Sequence, residues 1–173
     1  MEILVIHASA LGSTEGIAEA IGRTLGEHGL NPTIRPADRA PSPTGFDAAV
    51  IGSAVHAGHW LRSGTEYVRR YLVELATLPV WLFSVGPLGA VDPESCTDPA
   101  EIGEFRGAIS PREHRIFAGA HDRSSATIER LPRLERFVAR RFIPNGDFRD
   151  WPTIAGWAGS IAGALAARVP AGR

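Results

Sequence analysis

Ser9, Ser13 and Thr14 surround Gly12, directly after the apolar run Ile3-Leu4-Val5-Ile6-His7 and directly before a helical pattern that opens at Ile17. Hydroxyls at the start of a helix suit a phosphate group, because the first turn leaves N–H groups unpaired and carries the positive end of the dipole. The residue types discriminate among such sites. A nucleotide triphosphatase loop needs Gly-Lys-Ser/Thr, and Ser9-Ala10-Leu11-Gly12-Ser13-Thr14 has no lysine. A dinucleotide fingerprint needs Gly-x-Gly-x-x-Gly, but the glycine after Gly12 is Gly16. A phosphatase that attacks through cysteine needs a thiolate in the loop, and the single cysteine is Cys96. What remains is a cradle of hydroxyls and backbone N–H groups without a cation, suited to holding a phosphate monoester rather than transferring it. The same residues also fit an ordinary serine-capped helix.

Three further stretches carry candidate chemistry, each at the end of an apolar run. Phe46 to Ser53 reads as a buried strand that opens on Ala54-Val55-His56-Ala57-Gly58-His59-Trp60. Pro79 to Val85 reads as another and ends in Gly86-Pro87-Leu88-Gly89, which also reads as a plain turn. Arg115 to Ala120 reads as the last strand and ends at His121-Asp122. His56, His59 and His121 are the candidates for acid or base work, and the first two equally suit solvated loop positions. No metal site is expected, because neither His56 nor His59 has an acidic or thiol neighbour in sequence. Cys96 stands near Glu94, Ser95 and Asp98, neighbours that do not favour a thiolate, so it reads as inert.

Ser9 to Thr14 resembles the FMN phosphate loop of flavodoxins. Together, Gly12-Ser13-Thr14-Glu15-Gly16-Ile17-Ala18, Ile51-Gly52-Ser53-Ala54-Val55-His56-Ala57-Gly58-His59-Trp60 and Gly146-Asp147-Phe148-Arg149-Asp150-Trp151 are similar to the flavodoxin-like branch that includes menaquinone-dependent protoporphyrinogen dehydrogenases. The resemblance runs from about residue 2 to about residue 167. It implies FMN as cofactor, its phosphate on Ser9, Ala10, Leu11, Gly12, Ser13 and Thr14. The ring would lie between Ala54, Val55, His56, Ala57, Gly58 and Trp60 on one side and Ser84, Val85, Gly86, Pro87, Leu88 and Gly89 on the other. Small residues there allow close backbone approach, Trp60 offers a stacking face or caps the core, and N–H groups at Val85, Gly86 or Leu88 would hold the pyrimidine edge.

The resemblance implies an oxidoreductase that takes electrons from protoporphyrinogen or a related organic substrate and passes them to a quinone. The alternatives are a flavodoxin-type electron carrier serving a partner reductase or oxidase, and a flavin-less protein-binding domain.

The implied fold is a flavodoxin-like three-layer α/β/α sandwich with a five-stranded parallel sheet in the order 2-1-3-4-5. Alternation of buried strands with helical patterns supports it independently. Ile17, Ala18, Ile21 and Leu25 mark the buried stripe of a first helix, and Thr33 to Pro36 a proline-flanked edge strand. A helix is expected over 63–76, helical turns near Pro99 to Ile109, and a last helix capped at Asp150 with Ile154, Trp157, Ala158, Ile161, Ala162 and Leu165 on one stripe.

At 173 residues, 44% apolar and 21% charged, the chain reads as one domain, 1–173, with an insertion at about 122–147. Net charge is −1, which argues against recruiting nucleic acid and against the strongly acidic surface of a free electron shuttle. With neither a leader nor an apolar run of about 18–20 residues, the cytoplasm is the expected location. The insertion sets Leu131, Leu134, Phe137, Val138 and Phe142 among Arg123, Arg130, Arg133, Arg136, Arg140 and Arg141. Such a basic amphipathic segment, 123–142, suits an anionic substrate, a partner protein, peripheral membrane contact or a solvated helix over the sheet.

Overall fold

The computed structural model describes residues 1–86, 96–121 and 146–167. Strand β1 (Glu2–Ala8) enters the middle of the sheet, and its apolar residues divide by the two-residue period of a strand. Ile3 and Val5 face one layer, while Leu4, Ile6 and Ala8 face the other. Helix α1 (Ser13–Glu27) follows at once, with Ile17, Ala18, Ile21 and Leu25 fully buried as the periodicity predicts. The chain then forms edge strand β2 (Asn31–Pro36), β3 (Ala48–His56) and the two-residue β4 (His59–Trp60). Helices α2 (Arg62–Arg70) and α3 (Leu72–Leu75) lead to β5 (Val80–Val85). After residue 95 come α4 (Ala100–Ile109), β6 (Glu113–Phe117) and β7 (Ala120–His121), and later β8 (Gly146–Asp147) and α5 (Trp151–Ala166).

The main sheet runs β2-β1-β3-β5-β6, all parallel, with β4 paired antiparallel to β3. Counting only the five parallel strands, this is the expected order 2-1-3-4-5. One core half packs α1 and α5 on the sheet, and the other packs α2, α3 and α4 on the opposite face. The fold is therefore the flavodoxin-like α/β sandwich. Trp157 anchors the first half, edge-on to Phe117 at 5.4 Å and Phe83 at 6.1 Å between ring centres. Phe83 in turn lies flat over Gly52, where a Cβ would stand 2.1 Å from the ring. α5 opens on Asp150, whose carboxylate accepts the Thr153 N–H at 3.1 Å, the cap expected from sequence.

Two expectations are corrected. The helix over 63–76 is two, because Tyr71 leaves the helical region at φ −117° and its N–H is shared between the carbonyls of Tyr67 and Val68. The last strand does not run unbroken to Ala120. β6 stops at Phe117, and Ala120–His121 turns away to pair with Gly146–Asp147 as a separate antiparallel ribbon. The basic segment 123–142 and Asp122 lie outside the described residues, as do Pro87, Leu88 and Gly89. No helix among the described residues is long and apolar enough to cross a membrane.

Candidate functional site

In a parallel sheet whose order reverses about β1, the crevice beyond the carboxyl ends of the strands on either side of the reversal is the natural ligand site. A cleft of about 250 Å³ opens there, lined by Ser9–Leu11, Ser13, Thr14, Ala54–His56, Leu61, Val85, Gly86, Gly119 and Ala120. It draws on the ends of β1, β3 and β5 and on the start of the β7–β8 ribbon. Among the described residues of this lining the one titratable side chain is His56, so the described walls are essentially uncharged.

The loop between β1 and α1 is built as a cradle. Gly12 precedes the helix at φ +86°, a left-handed conformation that suits glycine, and its N–H donates to Ser9 Oγ at 3.0 Å. Ser13 Oγ accepts the N–H of Ala120 at 2.8 Å, which ties the loop to the β7–β8 ribbon. Thr14 is different. Its side chain is fully buried, and its Oγ1 has no hydrogen-bond partner among the described residues. A buried hydroxyl without a partner costs about 1–3 kcal/mol, so an orphan at the start of a helix, in a residue that lines a cleft, points to an acceptor beyond the described residues, and a phosphate oxygen is such an acceptor. The residues thus fit a phosphate.

The opposite wall is a tight hairpin. Ala57 at φ +50° and Gly58 at φ +80° make the two-residue turn that joins β3 to β4. It is held from below by α4: Ala100 N–H donates to Gly58 O at 3.0 Å, and Glu101 accepts the Trp60 N–H and faces His59 Nδ1, both at 3.0 Å. Burial of Glu101 opposes its ionisation, yet the hydrogen bonds from Trp60 and His59 outweigh burial and hold its carboxyl below the usual range. The hairpin, free of Asp and Glu in sequence between Ser53 and Arg62, therefore acquires a carboxylate from α4.

The structure redistributes the sequence-derived site. Ser9, Ala10, Leu11, Ser13, Thr14, Ala54, Val55, His56, Val85 and Gly86 share the cleft, and Gly12 shapes it through its backbone. Trp60 is not a stacking face. Its side chain is buried in the other core half, edge-on to Phe105 at 5.4 Å. Ser84 does not reach the cleft either, being fully buried and bonded to the Trp60 indole. The Gly86 N–H is spent on Phe117 O at 3.0 Å, so it cannot hold a ring edge. Ala57, Gly58 and His59 lie at the exposed hairpin tip, outside the lining.

Leu61, Gly119 and Ala120 line the cleft although sequence reasoning did not select them. The signal for the last two was the strand end at Ala120, where ligand positions gather in such sheets. Of His121, the backbone sits in β7.

Two neighbours complete the electrostatics. His7, at the end of β1, is buried with Nδ1 unpartnered among the described residues, and burial lowers its pKa despite Glu15, Glu19 and Asp38. Arg149 presses on α1 at Gly16, its Nη1 2.7 Å from where a Cβ would stand, while Nε and Nη2 bond Asp147 at 2.8 and 2.6 Å. Among the described residues no group of three or more His, Cys, Asp or Glu is placed to hold a metal.

Known structures share the architecture. The chain aligns with the rubredoxin oxygen:oxidoreductase of Desulfovibrio gigas at TM-score 0.62 and 13% identity, covering 98% of this chain and 37% of that one. It aligns with a mutant flavodoxin of Pseudomonas aeruginosa at TM-score 0.61 and 15% identity, covering 96% and 99%. A flavodiiron core from Synechocystis matches at TM-score 0.59 and 16% identity, covering 96% and 36%. The chain thus spans little more than a third of the rubredoxin oxygen:oxidoreductase and of the flavodiiron core, and nearly the whole of the flavodoxin. The model of the flavodoxin domain family matches residues 4–134, which include the β1–α1 loop, the hairpin and the residues that line the cleft. The chain therefore belongs to the flavodoxin domain family, and its cofactor is FMN.

Proposed function

We propose that the chain, read as one domain over 1–173, is an FMN-dependent oxidoreductase that draws electrons from a reduced organic substrate of the porphyrinogen type and delivers them to a quinone. FMN supplies one- and two-electron transfer when bound, and the chain's own residues bind, orient and shield. Thr14 Oγ1 and the N–H groups of the first turn of α1 hold the phosphate, with Ser9 and Gly12 shaping the cradle. Val55, His56 and Ala54 flank the ring on one side, Val85 and Gly86 on the other, and His56 is the group placed to carry a proton. The observation that carries this reading is the Thr14 hydroxyl, buried and without a partner among the described residues, in a residue that lines a cleft with no Asp, Glu, Lys or Arg in its described lining.

Net charge near zero favours a substrate-handling role over a free shuttle, since docking on basic partners relies on an acidic surface. The test is the absorbance spectrum of the purified protein before and after added FMN, followed by anaerobic turnover with a porphyrinogen and a quinone. A flavin spectrum with turnover supports the proposal. A flavin spectrum without turnover, together with capture of a reductase, replaces it with an electron carrier. A colourless protein that takes up no FMN refutes both.

A further inference from the structure

Four side chains form a continuous hydrogen-bonded chain beneath the cleft. Trp60 Nε1 lies 2.7 Å from Ser84 Oγ, Ser84 Oγ lies 2.8 Å from His114 Nε2, and His114 Nδ1 lies 3.0 Å from Asp98 Oδ1. Donor directions follow from chemistry alone. An indole N–H only donates and an ionised carboxylate only accepts, so Nδ1 of His114 carries the proton and Nε2 accepts from the Ser84 hydroxyl. Each of the three polar hydrogens then has one acceptor, with Ser84 Oγ both accepting and donating. The Ser-His-Asp order is that of an activated nucleophile, but Ser84 is fully buried and its oxygen already accepts the Trp60 N–H, so no substrate reaches it.

The relay instead joins parts that frame the cleft. Trp60 belongs to β4, paired with Val55 of β3, and Val55 and His56 form the cleft wall. Ser84 directly precedes Val85 and Gly86 of the opposite wall. Asp98 lies just before α4, where Arg106 holds its second oxygen at 2.5 Å.

We propose that His114 is a positioning residue for the cleft, seating the β3–β4 hairpin through Ser84 and Trp60 so that the wall at Val55 and His56 is set for the cofactor. This rests on the proposed flavin site. The relay needs His114 in one neutral tautomer. A second proton on Nε2 would aim an N–H at an oxygen that already accepts one, and the Ser84 proton would have to turn away inside a buried site. The groups facing His114 are Asp98, Arg106 of α4, Glu113 on its own strand, Ser84 of β5 and, through Ser84, Trp60. Burial, which keeps the imidazole neutral, dominates over the attraction of Asp98. The hairpin is thus correctly seated at neutral pH and loosened in acid.

The test is FMN titration by quenching of flavin fluorescence, at neutral and mildly acidic pH, on the full chain and on Ser84→Ala and Trp60→Phe. Each substitution removes one link, and Trp60→Phe keeps the ring against Phe105. At neutral pH each should weaken binding by about five-fold, the value of one neutral hydrogen bond. The ratio of variant to wild-type affinity should fall towards one in acid, where the relay is already broken. Ionisation of the FMN phosphate, of His7 and of His56 is common to all three proteins and cancels in that ratio. A ratio that stays constant with pH means a merely structural role and overturns the proposal.

The Trp60 indole N–H resonance, identified by its loss in Trp60→Phe, gives a reading without flavin. It should shift with pH in the wild type and stay still in Ser84→Ala. A resonance that does not respond to pH in the wild type sinks the relay whatever FMN does. Failure of the wild type to bind FMN at neutral pH overturns the positioning role together with the flavin site, and a responsive resonance would then identify the flavin site as the failed premise.

Discussion

Replacing Thr14 by valine should move stability and cofactor affinity in opposite directions. Valine has nearly the shape of threonine, so the packing of the second residue of α1 is kept while the buried hydroxyl is removed. In the protein without FMN that hydroxyl has no partner among the described residues, and its burial costs about 1–3 kcal/mol. Thr14→Val should therefore stabilise the cofactor-free protein, raising Tm by roughly 2–4 °C for each kcal/mol in a chain of this size. On the proposed reading the hydroxyl would donate to a charged phosphate oxygen when FMN is bound, an interaction worth about 1.5–3 kcal/mol. Its loss should weaken Kd by about 10- to 100-fold. Thermal denaturation of the cofactor-free protein and fluorescence titration with FMN read the two effects separately. An unchanged FMN affinity, or a lower Tm without cofactor, refutes the reasoning, because either result means that the hydroxyl does not wait for the phosphate.

Gly52→Ala should destabilise by about 1–3 kcal/mol or more, since its Cβ would lie 2.1 Å from the Phe83 ring in a core that also holds Trp157; urea denaturation measures it. Stability should fall as pH drops below about 6.5, the unperturbed histidine value. Burial lowers the pKa of both His7 and His114 in the folded chain, so below that pH the unfolded chain binds more protons; urea midpoints across the acid range test the sign. Glu101→Gln should make the flavin midpoint potential more positive, because it removes the negative charge that α4 places beneath the hairpin at Trp60 and opposes charge added on reduction; spectroelectrochemistry decides it.

The three-layer fold and the position of the cradle were legible in the sequence because each depends on local pattern. Ile3 to His7 is apolar on both faces of a strand, Ile17, Ala18, Ile21 and Leu25 keep the helical period, and Ser9, Gly12, Ser13 and Thr14 stand where a helix begins. The strand order followed from the resemblance together with the rule that parallel strands alternate with helices. Less local features stayed open. A tryptophan after a glycine turn looks like a stacking face, and only the packing of α4, with Phe105 beside it and Ser84 below, turns Trp60 into the core.

Which hydroxyl is spent and which is free could be known only from the assembled chain. Ser9 closes its own loop, Ser13 is claimed by Ala120 more than a hundred residues on, and Thr14 is left without a partner among the described residues. The carboxylate under the hairpin likewise comes from Glu101 on α4, although no acidic residue lies near His56 in sequence. Periodicity and cap chemistry thus determined the scaffold and the loop between β1 and α1, since both are set by neighbours a few residues apart. Tertiary structure alone decided the wall, its charge and the buried relay, since each is made by groups that meet only when separate strands and helices pack.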